Sequence, residues 1–197
     1  MMIRILILVV SIFVASCGQE TPYTVHNIAL SPQTIPSFIT NKKNLALQVA
    51  DTRTDAVVGY RRFGFEKESP VIVQDTGPVL LAALERDLRS AGFNPVSYNI
   101  GSNTSLDVKI INISYENKGR VITGNQKTII RVQAIAKNGT NIMTRNFDTK
   151  SFDTDLMRPS QSHQATLIDK GVSTALEKVV AKILTDVQFM TFLQQGA

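Results

Sequence analysis

The chain has 197 residues, 43% of them hydrophobic and 19% charged, with a formal charge of +5. This is ordinary globular composition, enough for one sizeable core and too little for two full domains once a leader is set aside. Basic residues are scattered, with short clusters only at Lys42-Lys43 and Arg61-Arg62, so binding to nucleic acid is not expected.

The first element is residues 1–16. Arg4 supplies a positive n-region, and residues 5–14 are apolar except for Ser11. That stretch is too short to cross a bilayer and suits the h-region of a signal peptide. Ala15 and Ser16 then precede Cys17, the chain's single cysteine, and Val14-Ala15-Ser16-Cys17 resembles the bacterial lipobox. The resemblance implies a lipoprotein signal peptide over 1–16, cleavage before Cys17, and a membrane anchor through lipid on that residue. A lipidated Cys17 leaves no thiol for disulfides or cysteine catalysis. Its acyl chains add about 0.8 kcal/mol of membrane affinity per buried methylene. Gly18 follows where an Asp is absent, which resembles the outer-membrane address of lipoproteins in two-membrane bacteria. The expected location is the periplasmic face of the outer membrane.

Residues 17–43 read as the lipidated cysteine and a tether. Within it, residues 18–40 carry Pro22, Pro32 and Pro36, show no sustained period, and would reach roughly 75 Å if extended. Its scattered apolar residues, such as Ile28 and Phe38, leave docking on the body open. A single periplasmic domain is expected over 44–197.

Within that domain, Leu45, Leu47 and Val49 alternate with Ala46, Gln48 and Ala50, the pattern of a half-buried strand ending at Asp51. Residues 57–65 read as a polar edge strand, and 71–73 as a short one. Asp75-Thr76-Gly77-Pro78 is a helix start, with Asp75 as the expected capping residue. Val79, Leu80, Ala83, Leu84, Leu88 and Ala91 follow at helical spacing, and Gly92 sits where a left-handed cap belongs. Strands are expected at 93–98, around 106–113 and at 127–137. Asn138-Gly139 then predicts a type I′ hairpin turn into a strand at 140–152. Ile168, Val172, Leu176, Val179, Ile183, Val187 and Met190 mark one long final helix. The fold class expected is α+β, a mixed, largely antiparallel sheet with two helices packed on one face.

The strand Leu45-Ala46-Leu47-Gln48-Val49-Ala50-Asp51 with Thr52-Arg53 after it, Val58-Gly59-Tyr60, and Leu88-Arg89-Ser90-Ala91-Gly92-Phe93 complete a further likeness. Together with the lipobox and the long C-terminal helix, the chain resembles the YajG-like bacterial lipoproteins. That family has no established activity, so the resemblance implies a location and a fold, not a reaction.

Candidate chemistry is sparse. Asp51 and Arg53 lie two apart, so on an extended chain they share a face, and a structural ion pair is expected. Only His26 and His163 are present, which gives no metal site of the usual spacing. Asp153 and Asp155 precede His163, but no Gly-x-Ser-x-Gly elbow accompanies them as a hydrolase triad would need. Asp148, Asp153 and Asp155 lack the EF-hand pattern. Without a Walker A or G-x-G-x-x-G motif, no cofactor is expected. Asn103, Asn112 and Asn138 begin sequons that a bacterial leader makes incidental. Tyr60, Arg61, Arg62 and Phe63, beside Gly59 and Gly64, have the aromatic and arginine content of an interface. The expected function is a non-catalytic interaction or accessory module of the cell envelope, docking an unidentified envelope protein. The alternative is a periplasmic protein that binds a small ligand, or binds or hydrolyses cell wall.

Overall fold

The computed structural model describes residues 21–34, 42–62, 68–117, 124–155 and 160–195, with the backbone alone at 62, 124, 155 and 161. The signal peptide, Cys17 and Phe63 lie outside the described residues. In chain order the elements are β1 (Tyr23–Thr24), β2 (Lys43–Asp51), β3 (Val57–Arg62), β4 (Glu68–Ile72), α1 (Thr76–Ser90) and β5 (Phe93–Ser97). Then follow β6 (Thr104–Asn117), β7 (Gly124–Asn138), β8 (Asn141–Asp155), α2 (Gln161–Thr185) and α3 (Val187–Gln195). The class is α+β.

The sheet is mixed but not largely antiparallel. β1–β4, β2–β5, β2–β6 and β3–β6 pair parallel, against antiparallel β3–β4, β6–β7 and β7–β8. Alternating hydrophobicity reports which face a residue takes, not which way its strand runs. Here α1 carries the chain back, so that β5 enters beside β2 in the same direction. β6 is the trunk of the sheet: β7 lies along one side, while β2 and then β3 share the other.

Leu106, Val108 and Ile110 of β6 pair with Ala136, Ala134 and Val132 of β7, so all six side chains point to one face, and all are fully buried. α1 covers the β2–β5 side of the sheet with Leu80, Leu84 and Leu88, and α2 covers β7 and β8. The α2 stripe, Ile168, Val172, Leu176, Val179 and Ile183, is fully buried, each side chain worth about 1.5–3 kcal/mol of transfer free energy. On β8 the alternate residues Ile142, Thr144, Asn146, Asp148, Lys150 and Phe152 are exposed, so no described residue covers this side of β8. Lysines of α2 shield the outer edge of β8: Lys178 Nζ donates to the carbonyl of Lys150 (2.9 Å) and Lys182 Nζ to that of Asp148 (2.6 Å).

Several sequence expectations change. The final helix is not continuous, because the chain breaks at Asp186 (φ −72°, ψ 96°), whose Oδ1 accepts from Phe189 N at 3.0 Å and starts α3. The described residues therefore hold three helices, not two. β3 is not an edge strand, since it runs between β4 and β6. Gly59 makes this fit: a Cβ there would lie 2.1 Å from the Tyr115 carbonyl oxygen. Asp75 does not cap α1 with its side chain and instead sits at φ 55°, the only positive φ of a non-glycine among the described residues. Gly92 does take positive φ, at 100°.

The hairpin is shifted by one residue. Asn138 pairs with Asn141, and the loop is Gly139-Thr140 with positive φ on Gly139 alone (59°), the sign pattern of a type II′ turn. Tertiary contacts set this register: Asn138 Nδ2 donates to Phe192 O (2.7 Å), and Gly139 N donates to Asn103 O (2.8 Å).

The largest change concerns the segment read as a tether. Residues 21–34 lie on the body as a strap. Tyr23 and Thr24 extend the sheet beside Val71 and Ile72, Val25 N donates to Ile72 O (2.8 Å), and the Val25 side chain is buried. The strap then follows one ridge of α2. Tyr23 Oη donates to Asp169 Oδ1 (2.7 Å), Ala29 N to Ser173 Oγ (3.3 Å) and Ser31 N to Glu177 Oε1 (2.7 Å). Asp169, Ser173 and Glu177 are four apart, so they line up on one face of the helix. From α1, Arg86 donates to the carbonyls of Leu30 and Ser31 (2.9 and 3.0 Å), and buried Asp87 accepts from Gln33 N (3.3 Å).

Candidate functional site

Two places carry the residues singled out by sequence. The first is the C-terminal end of β2, where parallel strands commonly open their ligand crevices. Thr52 turns the chain by donating both its N–H and its hydroxyl to Ile110 O (3.0 and 2.9 Å). Arg53 then folds back on Asp51 through a bidentate pair, Nε to Oδ1 at 2.8 Å and Nη2 to Oδ2 at 2.6 Å. Nη2 also reaches Val73 O (2.9 Å), and Thr76 Oγ1 donates to Asp51 Oδ2 (2.8 Å). The pair thus joins the end of β2 to the exit of β4 and the first turn of α1.

These contacts decide what Asp51 can do. Partial burial pushes its carboxyl up, but hydrogen bonds from Arg53 and Thr76 outweigh that and hold it below the ordinary carboxylate value. Both oxygens are occupied, so Asp51 is a poor proton donor near neutral pH. Beside it lies a cleft of about 280 Å³, lined among others by Thr54, Asp55, Gln74 and Asp75. The Arg53 side chain is only 8% exposed, and its Nη1 has no hydrogen-bond partner among the described residues.

The second place is the end of β3. Tyr60 is 55% exposed on the uncovered face, whereas Arg61 turns inward, 8% exposed, with its guanidinium carbon 4.7 Å from the centroid of the Tyr23 ring. Arg61 is thereby removed from the predicted contact set, because alternation along β3 sends neighbours to opposite faces. The Arg62 side chain and Phe63 lie outside the described residues. Burial first, then the hydrogen bond to Asp169, raises the Tyr23 hydroxyl well above its ordinary value, so it stays a donor at any physiological pH. The register Gly59↔Tyr115 sets Tyr60 level with Glu116, which pairs with Lys127 of β7, and Lys127 pairs with Phe152 of β8. This row ends on Phe152, 67% exposed. At the opposite end of β8, Ile142 is 66% exposed.

The structure does not gather the other polar residues into one site. Asp153 pairs with Lys170 (3.4 Å), Asp148 with Arg131 (2.8 Å), and His163 offers its backbone N–H to the capping Ser160 Oγ (3.2 Å). His26 meets the edge of the Tyr23 ring. Among the described residues, no three His, Cys, Asp or Glu side chains are placed to hold a metal ion.

The apolar residues of 21–34 left docking open, but the grip of the strap on α2 was not foreseen from sequence. The available signal was the polar series Asp169, Ser173, Glu177 beside the apolar stripe.

A family model described as "Uncharacterized lipoprotein" matches residues 32–194. No curated protein matches the chain. Among solved structures, a protein from Xanthomonas campestris is 14% identical with a TM-score of 0.52, over 87% of this chain and 98% of that one. A protein described as a candidate neuraminyllactose-binding haemagglutinin homologue from Helicobacter pylori is 8% identical with a TM-score of 0.54, over 87% of this chain and 100% of that one. A minor lipoprotein from Acinetobacter baumannii is 9% identical with a TM-score of 0.46, over 76% and 92%. At these identities the likeness is one of fold. No helix among the described residues is long and apolar enough to cross a membrane.

Proposed function

The chain belongs to this family of uncharacterised lipoproteins, and on that premise we propose that it is held at the periplasmic face of the outer membrane by lipid on Cys17 and works there by docking an envelope protein rather than by catalysis. The observation that carries the reading is the uncovered face of β6, β7 and β8. One side of this ribbon is filled by helices, while the other presents a broad surface with exposed Ile142 and Phe152 beside the polar Gln133, Thr144 and Asn146. A face of mixed apolar and hydrogen-bonding residues suits a partner better than bulk water alone does. The edge of β8 is shielded by Lys178 and Lys182, so docking is expected face-on and not by strand addition.

The anchor is tested by the mass of the N-terminal peptide from membranes, with Cys17→Ser as control. A mature N-terminus beyond residue 17 without lipid refutes it. Docking is tested by crosslinking in native membranes. Ile142→Asp with Gln133→Arg removes a specific crosslink while the melting temperature holds, and retention of every crosslink refutes the face.

A second reading has one observation in its favour, the buried Arg53 Nη1 beside the Asp75 cleft. There a small ligand with a carbonyl or carboxylate acceptor completes the guanidinium. A thermal shift with cell-wall peptides that is lost in Arg53→Ala supports it, and no shift removes it.

A further inference from the structure

The strap changes where the domain stands relative to its anchor. Between Cys17 and Tyr23, the first residue held by the body, the chain spans six Cα steps, roughly 20 Å when extended. From Tyr23 onward the chain is fixed, paired to β4 and bonded to α2. Tyr23 pairs with Val71, and Tyr60 pairs with the preceding Pro70, so the chain leading back to Cys17 leaves the body level with Tyr60. We infer that the strap seats the domain directly on the bilayer, with the Tyr60–Phe152 end of the uncovered face against phospholipid headgroups. This inference rests on lipid at Cys17.

Three features support it. The leash reaches only about 12–15 Å beyond the headgroup layer, which takes up roughly 5–8 Å on each side of the hydrocarbon core, so the end of the body it leaves from is held close to the bilayer. Tyr60 and Phe152 are the large side chains exposed on the row at that end, and aromatic rings settle at the membrane interface. Their row is continuous across β3, β6, β7 and β8, about 14 Å from Tyr60 to Phe152 at one strand spacing per step, so both meet one plane. Ile142 lies ten residues before Phe152 on the same strand, roughly 33 Å from it, and is left for the protein partner.

The chain contains no tryptophan, so a single introduced one reports its own surroundings. The full-length lipidated protein carrying Tyr60→Trp, Phe152→Trp or Ile142→Trp is reconstituted into vesicles of phosphatidylethanolamine and phosphatidylglycerol brominated high on the acyl chains. All three sites are already exposed, and the melting temperature checks the fold of each variant. Tyr60→Trp and Phe152→Trp should lose fluorescence, while Ile142→Trp keeps the intensity it has in unbrominated vesicles. Inserting about fifteen Gly/Ser residues after Gly18 adds a mean reach of roughly 20 Å and should restore the fluorescence of both, with the protein still floating with the vesicles. Equal quenching at all three sites, quenching at Ile142 alone, or none in a protein that carries lipid and floats overturns the orientation and leaves the anchor standing. A protein without lipid that fails to float overturns both.

Discussion

α2 and the strap lie side by side, yet different forces hold them. α2 presents a stripe of fully buried aliphatic residues to the sheet, and its place would survive the loss of any one hydrogen bond. The strap buries Val25, and Tyr23, Ile28 and Leu30 in part, and otherwise hangs from hydrogen bonds to Asp169, Ser173, Glu177 and Asp87. Apolar burial is non-directional and repeats along a helix, so it leaves a period in the sequence. Single hydrogen bonds to residues more than 140 positions away leave none.

Leu176→Asp has the largest expected effect. A buried unpaired carboxylate replaces a fully buried leucine, at a cost of about 4 kcal/mol or more, and calorimetry should show no cooperative transition or a much lower one. An unchanged melt would remove α2 from the core. Deleting residues 21–34 should cost about 2–4 kcal/mol, chiefly the apolar contacts of Val25, Tyr23 and Leu30, and lower the melting temperature by roughly 6–12 °C. If the melt does not move, the strap is a passenger after all.

Tyr23→Phe keeps the ring under Arg61 and removes only the hydroxyl, so about 1 kcal/mol should be lost in denaturant titration. A loss as large as that of the deletion would mean the hydrogen bond, not the burial, holds the strap. The Asp51 pair is smaller again and shows in acid. Its folded carboxyl lies below the unfolded value near about 3.9, so its contribution is fully present above that pH and fades as pH falls through the folded value. Thr76→Val removes one donor and should move the acid limb of the stability curve upward, whereas an unmoved limb excludes Asp51 as its source. Phe152→Ala, on the uncovered face, should change stability by no more than about 0.5 kcal/mol, and a larger loss would show that this side of the sheet is covered in solution.

The candidate sites were legible in part. Asp51 and Arg53 share a face because they are two apart on an extended chain, and the bidentate geometry follows from the shapes of the two groups. That Thr76 and Val73 complete the cluster depended on α1 beginning beside the end of β2. Tyr60 was readable as an interface candidate by its type, but the same reasoning counted Arg61 with it. The strap places the Tyr23 ring under the guanidinium and so gives that arginine an interior partner.

Sequence alone determined the α+β class, the extents of β2 and α1, the buried stripe of α2 and the likeness to lipoproteins. Each of these is written in neighbouring residues, as a period, a cap or a contiguous motif. Tertiary structure decided the parallel pairings of β1, β2, β3 and β5, the break at Asp186, the one-residue shift at Gly139-Thr140, and the docking of residues 21–34 as a strap. Strand direction, a helix end and the fate of an aperiodic segment depend on partners far along the chain. Those partners exist as neighbours only after the sheet and its helices have packed.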